Sequence, residues 1–526
     1  MNSRRAVLVG FLVVLVLTLL VACGGKTSSS VTAVKEEPKT ISVAMSQVNT
    51  TLDPHFYNQS ANNAIRSLFF EPLIWNKEDE KGNTIFVPVL AESYSYSPDG
   101  KVWTFKLRKG VKFSNGDDFT SYDCMVTFKR LMDNKATLGF AYYFTDLERY
   151  EAPDDYTFIM HMKYPAATME QYMTLIAILN GKVYDQYGED YFTKQMLIGT
   201  GPWIFKEWVD GQYVRAVRNN NYWGSFRSYY DELYLRFITE ESTGINALLA
   251  GDIKLYARAG GISKTSLPLL EGRDDIVPFS YASSAFLYFG LQCREGSIFH
   301  DIRAREAFSL AIDRKLISDT LVYGRPATNW AWFLPGTIGY DDSAPPLEYN
   351  PEKARQLLSQ TNYKGEKIML SSSGGVTSSA EILLAVSEML NAVGFNTATQ
   401  IIEPATLLEI RLSGNYDVFF VNGMTSFGDI SSYLTVRYMH DQHKSNFKNE
   451  STNALIEASN REINPEKRKE LLLQINRKMA ADMVPQILLL QLYFIIPYYK
   501  GLTGFELVTS GNFFFNFITY DPKLAK

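Results

Sequence analysis

The side chains best suited to direct chemistry are two imidazoles in the stretch His440-Asp441-Gln442-His443. Histidines three residues apart share one face of a helix and are common zinc ligands. The surrounding residues lack a helical pattern and no third ligand stands nearby, so a solvated loop is the alternative that we favour. The sequence also lacks a Gly-x-Ser-x-Gly elbow, a His-Glu-x-x-His pair and a phosphate loop. It therefore predicts no metal site, no cofactor and no catalytic site, and a secreted hydrolase stays open only through residues that form no motif.

A second group of candidate residues follows a predicted strand. Residues 416–421 form an apolar run that is typical of a buried strand. Ligands of open α/β sheets bind beyond the carboxyl ends of the strands, so we expect ligand contacts from the loop that comes next. The loop contains Met424, Thr425, Ser426, Phe427, Gly428 and Asp429. For Asp429, the alternative is a loop-stabilising or helix-capping carboxylate before Ser431-Ser432.

Two tryptophans form a third candidate group. Trp330 and Trp332 lie in a loop-like stretch after a helix that we predict over residues 302–318. Indole rings in a loop can stack on a ligand or receive one of its side chains. The alternative is that one or both rings are buried inside the domain.

The thiol of Cys23 is a nucleophile at the end of an N-terminal apolar segment. Arg4 and Arg5 precede this segment, an order that is typical of a secretory signal. The stretch Leu20-Val21-Ala22-Cys23-Gly24 resembles the lipobox of bacterial lipoproteins, which implies cleavage before Cys23 and acylation of its thiol. The alternative, an uncleaved membrane anchor, leaves Cys23 without a role. We therefore predict a signal peptide over 1–22 and a small, polar, flexible tether over 23–39.

Length and charge narrow the class of protein. A chain of 526 residues exceeds what one hydrophobic core supports, so two or more lobes are expected. Removing residues 1–22 takes away Arg4 and Arg5 and no acid, which changes the net charge from −5 to −7. Such a chain without a basic patch is not expected to bind nucleic acid. Cys124 and Cys293 then remain, and we predict two buried thiols, with a disulfide as the alternative.

The elements that position these residues can be read from turns, caps and periodicity. Ser97-Pro98-Asp99-Gly100 predicts a turn, and residues 102–108 alternate strictly between apolar and polar, as in a strand with one buried face. Thr120 and Asp123 have the spacing of a capping box. A further strand is predicted over 209–218.

Helix starts and α/β alternation mark the second half of the chain. Asn350-Pro351 and Asn464-Pro465 each place an N-cap before a proline at the first helical position. Strands alternate with helices between about residues 365 and 425, which indicates α/β units.

The order of these turns, caps and strands along the chain resembles that of the family 5 extracellular solute-binding proteins. These are the dipeptide-, oligopeptide- and nickel-binding proteins of ABC importers. The resemblance is carried chiefly by PVLAESYSYSPDGKVWTFKLRKGVKFSNGDDFTSYDCMVTFKR, residues 88–130, with shorter support from Leu52-Asp53-Pro54, Phe70-Glu71-Pro72-Leu73 and Gly199-Thr200-Gly201-Pro202-Trp203. It implies an α/β, two-lobed, periplasmic-binding-protein-like clamshell of type II, of the large cluster. The first lobe would span 40–285 with an extra subdomain over about 55–187, the second lobe 286–496, and residues 497–526 would return to the first lobe.

The resemblance also implies roles for the candidate residues. In peptide-binding members the loop after the 416–421 strand carries a tryptophan and an aspartate that pairs with the peptide's α-ammonium. Met424 stands in place of that tryptophan and Ser426-Phe427 in place of the first aspartate, so Asp429, aligned with a second one, becomes the candidate ammonium partner. The family topology would turn His55, Phe56, Tyr57 and Asn58 toward the same cleft.

The function implied is capture of a short peptide by hinge closure, without chemistry, by a lipid-anchored monomer outside the cytoplasm. Its partners would be an ABC permease and ATPase and the membrane that holds the anchor. The same fold binding an oligosaccharide, an opine or a metal chelate is the main alternative. A secreted hydrolase and a surface receptor that has lost its importer are more distant alternatives.

Overall fold

The computed structural model describes residues 38–46, 51–55, 60–78, 84–134, 138–193, 197–258, 260–327, 333–335, 337–341, 343, 347–374, 376, 378–424, 429–507 and 513–524. Their strands are, in chain order, β1 Thr40–Met45, β2 Ile74–Glu78, β3 Thr84–Pro88, β4 Ala91–Tyr96, β5 Val102–Leu107, β6 Leu147–Asp154, β7 Thr157–Met162, β8 Trp203–Val209, β9 Tyr213–Arg218, β10 Glu232–Phe237, β11 Tyr256–Ala257, β12 Ile276–Leu291, β13 Gly324–Pro326, β14 Lys367–Ser373, β15 Asn396–Ile402, β16 Val418–Met424, β17 Gln486–Tyr499, β18 Leu502–Thr503, β19 Glu506–Leu507, β20 Phe513–Phe514 and β21 Thr519–Tyr520.

The α-helices of the same residues are α1 Ser60–Phe69, α2 Ser121–Asp133, α3 Met169–Met173, α4 Gly181–Tyr187, α5 Asp190–Thr193, α6 Glu241–Ala250, α7 Ile302–Leu310, α8 Arg314–Thr320, α9 Pro351–Ser359, α10 Ser379–Ala392, α11 Pro404–Ser413, α12 Ser431–Tyr433, α13 Glu450–Arg461 and α14 Pro465–Ala481. Short 3₁₀ helices cover Gly139–Phe144, Leu267–Leu270 and Ile298–His300, and a π-helix covers Leu434–Met439.

Three main sheets organise these elements. A five-stranded sheet in the order β11-β1-β10-β9-β8 forms what we call the first lobe, and a six-stranded sheet in the order β13-β17-β12-β16-β14-β15 forms the second lobe. A four-stranded antiparallel sheet, β4-β5-β7-β6, forms what we call the subdomain, which has a hydrophobic core of its own between Leu73 and Ile178. The two-lobed α/β architecture predicted from the sequence is confirmed.

Local sequence rules explain several of the elements. In β5 the side chains of Trp103, Phe105 and Leu107 are buried in the subdomain core, as their alternation predicts. The backbone N–H of Thr120 donates to Asp123 across the predicted capping box, at 2.8 Å. Asn350 and Asn464 each accept a hydrogen bond from the third residue of their helices, α9 and α14, so both predicted N-caps are confirmed.

Two boundary predictions were wrong. The strand predicted over 209–218 is a hairpin, because Asp210-Gly211 turns the chain between β8 and β9 and Gly211 adopts a φ of 68°. The single helix predicted over 302–318 ends at Leu310, and α8 begins at Arg314 after Asp313, whose side chain caps it. In both places a local turn or cap outweighs continuous apolar periodicity.

A pair of long antiparallel strands joins the two lobes. β12 and β17 pair from Ile276 with Tyr499 through Gly290 with Gln486, and the register shifts between Ala282 and Phe286. The outer end of β17 reaches the first lobe, where the backbone N–H of Tyr499 donates to Lys254 O at 2.9 Å. The lobe boundaries predicted near residues 285 and 496 stay predictions.

The segment after β17 packs into the first lobe. Trp203 Nε1 donates to Asn516 O at 3.0 Å, and the backbone N–H of Phe515 donates to Ser67 Oγ at 3.4 Å. Phe515 and Ile518 are fully buried in the hydrophobic core. Residues far apart in the chain therefore complete this lobe together.

The described cysteines Cys124 and Cys293 are buried free thiols, as predicted. Burial raises the pKa of both thiols, which keeps them protonated and unreactive. Among the described residues, the helices are all too short or too polar to span a bilayer.

Glu71, in the predicted Phe70-Glu71-Pro72-Leu73 motif, is a buried acid where the subdomain meets the first lobe. Its carboxylate accepts hydrogen bonds from Tyr222 Oη, Trp223 Nε1 and Thr200 Oγ1 at 2.7, 2.7 and 2.9 Å. Burial raises the pKa of Glu71 from 4.5 to about 7, although these three donors oppose the rise. The folded protein thus holds a proton that the unfolded chain releases near pH 4.5.

We expect this proton to make stability fall as pH rises. The contribution is fully present below pH 4.5 and is lost as pH rises through the folded pKa of about 7. By linkage it amounts to about 3 kcal/mol of unfolding free energy in total. The variant Glu71→Gln cannot titrate, so its stability relative to the natural protein should increase by that amount between pH 4.5 and pH 8. Chemical denaturation across this range measures the difference, and a difference that does not vary with pH would contradict the prediction.

Candidate functional site

The candidate site begins where β16 ends, in the middle of the second-lobe sheet. β16 pairs with β12 up to the partners Gly423 with Phe286 and Met424 with Ala285. A Cβ atom at position 423 would lie 2.6 Å from the Phe286 ring and 2.7 Å from Tyr433 Oη. Only glycine permits this approach, so Gly423 lets two aromatic side chains close over the end of the strand.

Asp429 follows the end of β16 by five positions and is buried. Arg468 Nη1, from α14, donates to Asp429 Oδ2 at 2.6 Å, and the backbone N–H of Ser431 donates to Oδ1 at 2.8 Å. Burial alone would raise the pKa of Asp429, but the charge of Arg468 and the hydrogen bonds hold it below its usual range. The carboxylate is therefore ionised and caps the start of α12.

These contacts fit the structural alternative for Asp429, a helix-capping carboxylate. Arg468 also donates to Ser431 Oγ at 2.6 Å and to Ser459 O at 3.0 Å, which fixes the pair in one geometry. Sequence reasoning missed Arg468 because it lies 39 positions away on another helix. The role of Asp429 as an ammonium partner stays a prediction.

The other predicted site residues are placed only in part. Thr425, Ser426, Phe427, Gly428, Trp330, Trp332, Phe56, Tyr57, Asn58 and Cys23 lie outside the described residues. For Met424, the structure describes the backbone pairing with Ala285. Their predicted contacts with a ligand stay predictions.

The segment that follows β1 is held by a buried ionic network. Arg130, from α2, donates to Asp53 Oδ1 and Oδ2 at 3.0 and 2.5 Å and to Glu189 Oε2 at 2.7 Å. Arg130 Nη1 also donates to His55 Nδ1 at 2.9 Å, while His55 Nε2 donates to Ala177 O at 2.7 Å. The Arg130 side chain is fully buried, so this network anchors the start of the loop to the subdomain.

The prediction that His55 faces the cleft was wrong. Its side chain is completely buried, and both ring nitrogens are used inside the protein. Burial and the adjacent charge of Arg130 lower the pKa of His55 well below its usual range, so the ring is neutral. The signal that could have revealed this arrangement is the unusual acid of the Leu52-Asp53-Pro54 motif, which needs a cation once it is buried.

The subdomain touches the second lobe across the site. The backbone N–H of Ala167 donates to Asn460 O at 3.2 Å, and the Arg461 guanidinium lies 4.3 Å from the centre of the Tyr164 ring. At Gly100, where φ is 68°, a Cβ atom would lie 2.5 Å from Ile463 Cγ2. The turn between α13 and α14 therefore packs directly against the subdomain.

A tyrosine of the subdomain interacts electrostatically with the Asp429–Arg468 pair. Burial raises the pKa of Tyr172, and the charges of Asp429 and Arg468 act on it in opposite directions. Among the described residues, no group of three or more His, Cys, Asp or Glu side chains is placed to hold a metal ion.

A family profile and a relative of known name both match this chain. The sequence profile of the family described as "Bacterial extracellular solute-binding proteins, family 5 Middle" matches residues 86–445. The oligopeptide-binding protein AppA of Bacillus subtilis (strain 168) is 27% identical over 448 residues, which is 79% of this chain and 80% of the relative.

Two solved structures show the same fold. The ABC transporter-associated periplasmic binding protein DppA from Helicobacter pylori, in complex with the peptide STSA, is similar with a TM-score of 0.76 at 23% identity, covering 93% of this chain and 98% of that one. NikA from Brucella suis, in complex with Fe(III)-EDTA, is similar with a TM-score of 0.81 at 20% identity, covering 92% of this chain and all of that one, 100%. One fold thus holds a peptide in one case and a metal chelate in the other.

Proposed function

Because this chain belongs to the bacterial extracellular solute-binding proteins of family 5, we propose that it captures a short peptide between its two lobes for an ABC importer. The family match over residues 86–445 carries the solute-binding part of the proposal. The peptide is supported by relatives that are named for peptides, including AppA of Bacillus subtilis. The contacts across the site support capture by closure.

The geometry suggests how closure would work. The subdomain packs on the turn between α13 and α14, and its Tyr172 interacts electrostatically with Asp429 and Arg468 of the second lobe. We assign this arrangement to the closed form, in which a ligand at the end of β16 is shielded from water. The lobes would rotate about β12 and β17, whose register shifts between Ala282 and Phe286. A ligand that contacts both lobes then favours this form by its differential affinity.

The setting of the protein is part of the same proposal. Acylation of Cys23 would hold it on the outer side of the bacterial membrane, and the 23–39 tether would let it reach a permease. It would act as a monomer and without catalysis, because binding by closure needs no reactive side chain.

Identifying the bound ligand distinguishes a peptide-binding protein from one that binds another solute. We expect native mass spectrometry of the purified chain from residue 24 onward to detect co-purified peptides, and calorimetry to measure their binding after the ligand has been removed. If only glycans or metal chelates co-purify, and calorimetry detects no binding of a mixed peptide library, the peptide proposal is wrong. Turnover of a panel of chromogenic esters and peptides would instead favour a hydrolase.

The proposed closure also predicts a small effect on peptide affinity when one contact between the subdomain and the second lobe is removed. Replacing Tyr164 with alanine removes the cation–π contact with Arg461, which is worth about 0.5–1 kcal/mol at a partly exposed site. Peptide affinity should therefore fall by a factor of about two to five. Tyr349, an exposed tyrosine of the second lobe, gives the matched control Tyr349→Ala, whose affinity should not change. Equal affinities for both variants would argue against a closed form held by this contact.

A further inference from the structure

Two arginines of the second lobe converge on one histidine. Arg411 Nη2, from α11, lies 2.8 Å from His443 Nε2, and Arg437 Nη1, from the π-helix, lies 2.6 Å from the same atom. Guanidinium nitrogens can only donate, so His443 Nε2 is the acceptor of both bonds. We call these three side chains the Arg411–Arg437 cluster.

The histidine does not offset the charge of the arginines. Burial and the charges of Arg411 and Arg437 lower the pKa of His443 to about 2, so its ring is neutral at every physiological pH. Neither arginine belongs to an ion pair within the part of the chain that the structure describes. The cluster therefore carries two positive charges side by side, which repel each other.

Several donors of the two guanidinium groups are left for another partner. Arg437 Nη1 also donates to Gln442 Oε1, and Arg411 stacks on Phe419 at 5.1 Å. Arg411 Nε is buried and has no acceptor among the described residues. Each guanidinium group presents five N–H donors in a fixed fork, and most of these donate to no side chain or carbonyl of the described residues.

The chain is strained where it builds this cluster. Asp441, Lys444 and Asn446 have positive φ values of 43°, 49° and 60°, in the loop that carries His443. Left-handed backbone at residues other than glycine costs free energy and is concentrated at functional sites. Arg437 comes from a π-helix, another feature that is common at such sites. The loop is fixed by Asp441, which accepts from Ser445 N, Ser445 Oγ and Asn446 N.

We propose that the Arg411–Arg437 cluster binds a small oxyanion of the phosphate or carboxylate class. An oxyanion would accept from the unused donors of both forks and would remove the repulsion between them. His443 packs on Phe419 near the start of β16, at 5.1 Å between ring centres, and the Arg437 guanidinium lies 5.8 Å from the centre of the Tyr433 ring, so the cluster adjoins the candidate site.

Inorganic phosphate is the first probe, with sodium chloride at equal ionic strength as the reference and acetate as the carboxylate probe. We expect phosphate, but not chloride, to raise the thermal unfolding midpoint of the chain from residue 24 onward in a saturable manner. Stabilisation by acetate at lower concentration than by phosphate would identify a carboxylate site; the reverse would identify a phosphate site. Equal effects of chloride, phosphate and acetate would overturn the proposal.

Substitutions in the Arg411–Arg437 cluster test whether phosphate binds there. Arg411→Gln and Arg437→Gln should each weaken phosphate binding at least about tenfold, whereas Lys469→Gln, at an exposed lysine of α14, should leave it unchanged. Arg437→Lys keeps the charge but loses the fork, so it should weaken binding less than Arg437→Gln and serves if a glutamine variant does not fold. Unchanged phosphate affinity in Arg437→Gln or, where that variant does not fold, in Arg437→Lys would overturn the proposal. Peptide titrations of the same variants report separately on the proposed function.

Discussion

Replacing Arg130 with methionine is expected to lower the free energy of unfolding by about 3–5 kcal/mol, because removing one partner of a buried ion pair leaves the other charge uncompensated. Arg130 is fully buried and holds both carboxylate oxygens of Asp53. Its loss would also leave His55 Nδ1 without its donor. Urea denaturation followed by circular dichroism measures the change.

The adjacent Lys129 provides the matched control for Arg130. It forms an ion pair with Asp133 on the same helix, but both side chains are largely exposed. The variant Lys129→Met should change stability far less than Arg130→Met, since water solvates the remaining acid. Similar losses in the two variants would mean that the buried network contributes no more than an exposed pair.

We expect the Arg130 variant to bind peptide less tightly even where it is folded. Asp53 and His55 begin the loop that carries the predicted contacts Tyr57 and Asn58, and the network fixes that beginning to the subdomain. Loosening it would add ordering entropy to the cost of binding. Calorimetry well below the denaturation midpoint tests this, and an unchanged affinity would separate the network from the cleft.

The second large effect is expected at Arg468. The variant Arg468→Leu should lower the free energy of unfolding by about 3–5 kcal/mol, because Asp429 would remain buried and charged without its partner. Ser459 O and Ser431 Oγ would lose their donor at the same time. Arg355, on α9, pairs with Glu352, and the two side chains are 50% and 78% exposed, so Arg355→Leu is the matched control with a much smaller expected change.

A substitution at Asp429 distinguishes its structural role from a role in binding the ligand. If it also accepts the ammonium group of a peptide, Asp429→Asn should weaken peptide binding by about 1.5–3 kcal/mol, a factor of roughly ten to one hundred. N-terminally acetylated peptides, which lack that charge, should bind the natural protein and the variant equally well. Lost stability with unchanged peptide affinity would restrict Asp429 to capping α12.

Much of the fold could be predicted because its signals are local. The alternation in β5, the capping box at Thr120 and the N-caps at Asn350 and Asn464 each depend on residues within a few positions of one another. The family motifs then supplied the order of the lobes, which no local rule contains. Where the predicted boundaries were wrong, as at residues 209–218, a three-residue turn over 210–212 interrupted an otherwise continuous pattern.

The site could be predicted far less well because its partners are distant in sequence. Arg130 lies 77 positions from Asp53, and Arg468 lies 39 positions from Asp429. In the sequence Asp429 is simply a carboxylate at the end of a strand, and only the folded chain shows that an arginine already holds it. The Arg411–Arg437 cluster could not be predicted either. The sequence suggested His443 as a possible metal ligand, whereas the folded chain shows it as the acceptor for two arginines.

The packing of the segment after β17 also bears on how the protein is made. Phe515 and Ile518 fill the first-lobe core beside elements near Ser67 and Trp203, and β17 supplies the central strand next to β12. A ribosome releases these pieces after nearly everything that precedes them, so neither lobe has its full core while the chain is still growing. Neither lobe can therefore complete its folding before these last strands have been synthesised.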